Sequence, residues 1–388
     1  MHDAEARHTF ALLSGVHDMT TTASSAFDFL VRRNALGETR IAPTRVIDDV
    51  DLDPGQALAA IDAFAFTANN ITYAVFGDAM QYWDFYQAPE GWGRIPVWGF
   101  ADIVRSNLPE IRTGERLFGY WPMSTWAVLE PTQATAAGFH DATAHRQHLH
   151  AIYNYYTRVA ADPGYDPARE AQQMLLRVLF LTSFFIDNFL ADNDFFGARS
   201  VVIASASSKT ALSLAYCLRA GHRGRVEVVG LTSPAHATFV EGLRCYDKVM
   251  CYDDLAMLPA ETPTVFVDMA GDGRVVRGIH HHFGEALKHS CMAGSTHWKH
   301  MAMGQQLAGV QPVPFFAPNQ AAKCSLDWGP AELQRRMGQA WMAFVEPVSA
   351  WIRIVHGRGP ADIERVYQDV LAGRARPDEG HVLSLQER

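Results

Sequence analysis

Hydrophobic and polar positions change their period partway along the chain. Over residues 27 to 130, short runs rich in β-branched and aromatic residues alternate with turn residues, as in "ALAAIDAFAFTANNITYAVFG", "RIPVWGFADIVRS" and "GERLFGYWPMSTWAVLEP". That texture predicts a mostly β region. From about 165 to 310 the pattern alternates strand and helix. It predicts helices over 169–191, 209–220 and 235–244, and strands over 199–205, 225–231, 248–251 and 264–268. Such alternation is the signature of an α/β fold with a parallel doubly wound sheet. Beyond about 320 the segments are short and mixed again, with a β-type run "AWIRIVHG" and a helical run "GPADIERVYQDVLAG". There is no internal repeat and no low-complexity linker.

A β region that the chain leaves and later rejoins implies a discontinuous domain with one α/β domain inserted. A cleft then lies between the two, at the C-terminal ends of the parallel strands, where ligands of open α/β sheets bind.

Composition narrows the function classes. With 388 residues, 48% of them hydrophobic and 19% charged, the chain can bury a sizeable core. A net charge of −9 and an isoelectric point near 6.0 supply no basic field for nucleic acid or an anionic membrane. The most apolar stretch, "MLLRVLFLTSFFIDNFL", is interrupted by Arg177 and Asp187 and falls short of the roughly 18 to 20 residues of a membrane span. It reads as a buried helix. The first 26 residues carry acidic groups and too short an apolar core for a secretory signal. They read as an extension, within which Met19 is an alternative start. Five scattered cysteines without C-x-x-C spacing fit a reducing cytoplasm and offer no disulfide framework or cysteine-clustered zinc lobe.

The segment "VVIASASSKTALSLAYCLRAG" (201–221) reads as a buried strand, a tight turn and a helix. In a dinucleotide-binding unit the turn is rich in glycine; here it is Ser205-Ala206-Ser207-Ser208-Lys209-Thr210-Ala211. Elsewhere, "GFADIVRSNLPEIRTGERLFGY" has Gly99, Val104, Ile111, Gly114, Arg116 and Gly119 in the places of a G-x-x-x-V, then V-x-x-G-D-R-V-x-G pattern. "VEVVGLTSPAHATFVEGLRCYDKVMCYDDL" and "VFVDMAGDGRVVRGIHHHFG" follow in the same order as the second and fourth strand units of that scaffold. Together these segments resemble the medium-chain dehydrogenase/reductase superfamily, in particular its zinc-free quinone oxidoreductase branch. More closely, residues 27 to 388 look like the bacterial DUF2855 family. The resemblance implies a GroES-like β-rich domain from 27–160 and 320–388, with a Rossmann domain from 161–319 inserted.

The resemblance also places the family's three glycines on Ser208, Lys209 and Ala211. A positive φ at Ser208 or Lys209 would cost roughly 1 to 2 kcal/mol. In exchange, Ser207, Ser208, Lys209 and Thr210 offer hydroxyls and a cation to a phosphate at the helix start, where a bound anion would reconcile the lysine with the helix dipole. The other reading is a cofactor-free turn with a solvated lysine. At the end of the second strand no acidic residue stands where a ribose hydroxyl would be held. Thr232, Ser233 and His236 are there instead, with Arg223 and Arg225 close in sequence, which favours NADP; the same residues also suit a helix cap. The family pattern puts Asp268 beside the nicotinamide.

On the substrate side, "TANNITYAVFGDAMQYWDFYQ" is similar to the N-x-x-D segment of quinone oxidoreductases, with Asn70 matching the Asn and Tyr73 in place of the Asp. That replaces a carboxylate with a phenol able to donate to an oxyanion, while Asn70 would hold cofactor or substrate on the same wall. Tyr82, Trp83 and Tyr86 would line an apolar pocket or the core, and Tyr120 and Trp121 are weaker candidates near the cleft. His281, His282 and Lys288 are donors from the nucleotide side. The triplet "HHH" at 280–282 does not converge on one point, and the superfamily's zinc-ligand segments do not occur, so no metal is expected. The expectation is an NADPH-dependent reductase of a carbonyl or conjugated enone on a moderately large apolar small molecule. The alternatives are a non-redox enzyme for proton transfer or carbon–carbon cleavage, and a noncatalytic NADP-binding sensor. A homodimer is compatible with the resemblance.

Overall fold

The computed structural model describes residues 26–293 and 307–386. Residues 1–25, with Met19, lie outside the described residues. Three sheets form. Strands Ala35–Thr44, Ala26–Arg32 and Trp92–Gly93 make a small antiparallel sheet beside a nine-stranded one. The larger sheet has Ala57–Phe66, Pro96–Ser106 and Arg116–Pro122 at its centre, with Trp98 opposite Tyr120 and Gly99 opposite Gly119. Gly114, at φ +87°, sits in the turn joining the last two of these strands, a conformation that favours glycine.

The third sheet is parallel throughout, in the order Lys248–Cys251, Glu227–Thr232, Ser200–Ala204, Thr264–Asp268, Leu287–Met292, Val313–Pro314. Its central strands are apolar at almost every position, as expected of strands covered by helices on both faces. The order reverses between Ser200–Ala204 and Thr264–Asp268, which creates a crevice at their carboxyl ends.

Helix Glu170–Asp192 carries the apolar run and packs inside the protein. By length and composition alone, and against the sequence expectation, the helical run Pro167–Asp192 is long and apolar enough to cross a membrane. Of its two interrupting charges, Arg177 pairs with Asp162, whose side chain is buried, while Asp187 has its Oδ1 3.3 Å from His222 Nε2 and makes no hydrogen bond through that oxygen among the described residues. Helices Ala317–Trp328 and Pro330–Val348 pack on this same helix, with Phe344 stacked on Phe180 at 4.6 Å and Tyr216 donating to the Ala343 carbonyl. The β region is therefore rejoined at Arg353 rather than at 320. Strand Arg353–Arg358 runs parallel to Glu379–Ser384, which in turn pairs antiparallel with Ala57–Phe66. The crossover helix Gly359–Leu371 inserts Tyr367 against Phe29 and Phe66.

Candidate functional site

A cavity of about 530 Å³ opens at the crevice, bounded by the turn Ser207–Thr210, helix Ala68–Val75, helix Glu170–Asp192, residues 314–318 and the strand from Glu379. The turn's backbone explains its sequence. The positive φ falls on Ser205 (+56°), not on Ser208 or Lys209, so the expected strain sits three residues earlier. Ser205 N–H donates to the Tyr252 hydroxyl at 3.0 Å, and Ala206 N–H to the Leu231 carbonyl at 2.9 Å. Ser208 has extended backbone and caps the helix Lys209–His222, its Oγ accepting from Ala211 N–H at 3.3 Å. Among the described residues, the N–H groups of Ser207, Lys209 and Thr210 meet no acceptor. They are open donors at the positive end of a helix.

Ser207 Oγ lies 3.1 Å from His236 Nδ1, so two residues 29 apart in sequence meet at the cavity wall. Thr232 is buried at its strand end and Ser233 leads into the short turn Pro234–His236. Arg223 and Arg225 are a correction. They precede strand Glu227–Thr232 and so lie at the amino-terminal end of the strands, opposite the crevice, where Arg225 pairs with Asp194. A second cavity of about 500 Å³ lies beyond Leu231, between Tyr252, Asp253, Ala270 and Asp272.

Lys209 is also corrected. Its ammonium crosses the cleft and donates to the Glu379 carbonyl at 2.8 Å, with the carboxylates of Asp378 and Glu379 close by. These protein groups lie against its charge. Burial draws its pKa down to about 8, against the pull of those two acids. Asp268 acts on the chain: its Oδ1 accepts from Ala270 and Gly271 N–H at 2.9 and 3.0 Å, holding the turn at the strand end. Burial raises its carboxyl to about 6 despite those bonds.

On the facing wall, Asn70 is the third residue of a capping box. Its Oδ1 accepts from Thr67 N–H at 2.8 Å and its Nδ2 donates to the Pro96 carbonyl at 3.1 Å. The amide is spent on structure, which withdraws Asn70 from the cavity. Asn69, Thr72, Tyr73 and Phe76 form the helix face that lines it. Their spacing of i, i+3, i+4, i+7 was the available signal for Asn69. Tyr73 accepts from Trp98 Nε1 at 3.4 Å, and its ring lies 4.7 Å from Tyr82. Burial, reinforced by Tyr82, pushes the phenol upward, so it stays neutral and able to donate.

Of the other rings, Tyr82 lines the cavity, its hydroxyl 3.4 Å from that of Tyr153, which sequence reasoning missed along with Phe315 and Phe316. Trp83 is in the β core: a Cβ on Gly77 or Gly93 would fall 2.0 or 2.4 Å from its ring. Tyr86 bonds to the Tyr120 carbonyl, Tyr120 is buried behind Tyr73, and Trp121 donates to the Gly99 carbonyl at 3.1 Å. None of Trp83, Tyr86, Tyr120 and Trp121 lines the cavity. His281 and His282 lie at the C-terminal end of helix Gly273–Phe283, away from the strand ends that form the crevice. His281 is exposed and His282 Nε2 meets the Leu258 carbonyl at 2.8 Å. Among the described residues no three His, Cys, Asp or Glu side chains converge as a metal set.

The chain is similar in fold to CurA from Vibrio vulnificus in complex with NADPH, with a TM-score of 0.59 and 11% identity over 93% of this chain and 100% of that one. It also resembles the yhdH oxidoreductase from Salmonella enterica in complex with NADP (TM-score 0.51, 14% identity, 93% and 100% covered). A mutant enoyl thioester reductase from Candida tropicalis aligns at a TM-score of 0.54 and 11% identity, over 93% and 99% of the two chains. At such identities the likeness is one of fold, a GroES-like β-rich domain with a Rossmann domain. No curated protein matches the sequence. The family described as "Protein of unknown function (DUF2855)" matches residues 64–376, from before the capping box of Asn70 to beyond the crossover helix, and the chain belongs to that family.

Proposed function

We propose that this protein is an NADPH-dependent oxidoreductase that reduces a carbonyl or conjugated enone on a moderately large apolar molecule without a metal. The carrying observation is one cavity that joins the open helix start at Ser207–Thr210 to the phenol of Tyr73. The donor set fits a dinucleotide. Three unpaired N–H groups and the Ser207 hydroxyl suit a pyrophosphate, His236 with Ser233 suits a 2′-phosphate, and the cavity beyond Leu231 has room for an adenine. The fold neighbours crystallised with NADPH or NADP support the same choice.

Bound there, NADPH supplies hydride. Tyr73, kept neutral by its surroundings, donates a hydrogen bond to the substrate oxygen as negative charge grows on it. Asn69 is positioned beside it, and Phe66, Phe76, Val178, Leu179, Phe315 and Phe316 exclude water and hold the apolar body of the substrate. The test is titration of the protein into NADPH, with NADH as control, followed by turnover on a panel of aryl and alkyl enones. A shift of NADPH fluorescence and consumption of NADPH with an enone are expected. No binding of either dinucleotide would overturn the reading.

A further inference from the structure

One cluster in the cavity has no part in that reduction. Lys209 Nζ, the Glu379 backbone and the imidazole of His381 form a group on the wall contributed by strand Glu379–Ser384. Glu379 and His381 are two residues apart on one strand and so share a face. His381 Nε2 lies 3.9 Å from Glu379 Oε2, and its Nδ1 is buried with no hydrogen-bond partner among the described residues. Lys209 makes one hydrogen bond with a group that carries three donors, and it keeps part of its surface on the cavity.

We propose that Lys209 is an imine-forming amine for an apolar aldehyde or ketone bound in this cavity, with His381 as the proton carrier. The Nζ lone pair attacks the carbonyl carbon and the carbonyl π pair moves to oxygen. The two protons of the neutral amine end on that oxygen, which departs as water and leaves a C=N bond to Nζ. His381 moves the proton from nitrogen to oxygen, so the condensation needs no oxidant, reductant or metal. This activity is independent of the reductase reading, because no dinucleotide takes part.

Three physical features favour it. Desolvation makes the free amine accessible near neutral pH, since a lysine drawn down to about 8 holds roughly two hundredfold more neutral amine at pH 7.5 than an exposed one. Burial likewise keeps His381 neutral; Lys209 and Arg365 push in that direction, and Glu379 and Asp369 oppose it. The apolar side chains Val178, Phe315, Phe316 and Val370 line the same cavity and suit the apolar body of an uncharged carbonyl compound.

The chain is suited to a direct test because it has only five lysines, at 209, 248, 288, 299 and 323. Lys248, Lys288 and Lys323 are exposed. The full chain, free of dinucleotide, is incubated with a naphthaldehyde and sodium cyanoborohydride, and lysine peptides are mapped by mass over time. Expected is one arylmethyl group on Lys209, added roughly tenfold or more faster than on the exposed lysines. Lys209→Met should lose that label, and His381→Asn should slow it roughly tenfold at unchanged circular dichroism. Even labelling of all lysines, an unlabelled Lys209 peptide, or an unchanged rate in His381→Asn would overturn the proposal. The wild-type map reads the site directly, so the test stands whether or not Lys209→Met folds.

Discussion

The ammonium of Lys209 donates to the carbonyl oxygen of Glu379 at 2.8 Å, joining the first helix of the Rossmann domain to a strand 170 residues later in the β sheet. Burial of this amine, not the hydrogen bond itself, makes stability depend on pH in a defined direction. The folded chain releases the proton at about 8, whereas the unfolded chain keeps it to the ordinary value of 10.5. Between these values the unfolded state binds more protons, so stability rises with pH. Urea unfolding from pH 7 to 10 should show wild-type stability gaining on that of Lys209→Met as pH rises, against the opposite slope that the buried cysteines give to both chains. Parallel pH profiles would refute the assignment.

Asn70 and Asn69 should separate cleanly. Asn70→Ala removes the cap on helix Ala68–Val75 and the bond to Pro96, and is expected to cost about 1 to 3 kcal/mol of stability. Asn69→Ala should leave the melting temperature nearly unchanged and alter turnover. Thermal melts and steady-state rates on both variants check this; equal stability losses would contradict it.

Tyr73→Phe keeps the ring packing against Tyr82 and Tyr120 and deletes the donor. Turnover should fall on the order of 100-fold with NADPH affinity unaltered, the pattern for a bond made chiefly in the transition state. Near-normal turnover would return Tyr73 to the core.

His236→Ala removes the imidazole beside Ser207. NADPH binding should weaken roughly tenfold, about 1.4 kcal/mol, while NADH binding stays as it was. Isothermal titration with each dinucleotide measures this, and an equal loss for both would place His236 away from the 2′-phosphate.

Much of the scaffold was legible. Strand Ser200–Ala204 and helix Lys209–His222 fall within two residues of their expected ends, because a run of apolar residues closed by a polar turn and followed by a 3.6 period has few other solutions. The sequence pattern did not pair Ser207 with His236, although the topology brings them together: adjacent parallel strands place their carboxyl ends side by side. The return of the chain was read too early, since the helices over 317–348 pack on helix Glu170–Asp192.

Side-chain direction was the part that only tertiary structure decided. Neighbouring positions on a helix point about 100° apart. A cap formed with Thr67 and Pro96 therefore turned Asn70 inward and left Asn69 on the cavity. Lys209 looked like a phosphate ligand because its nearest sequence neighbours are hydroxyls at a helix start. The group that claims its ammonium lies 170 residues away, and no local pattern carries that. The aromatic residues sorted in the same way, Tyr73 and Tyr82 to the cavity and Trp83 and Trp121 to the core, by close packing between segments that meet only when the chain folds.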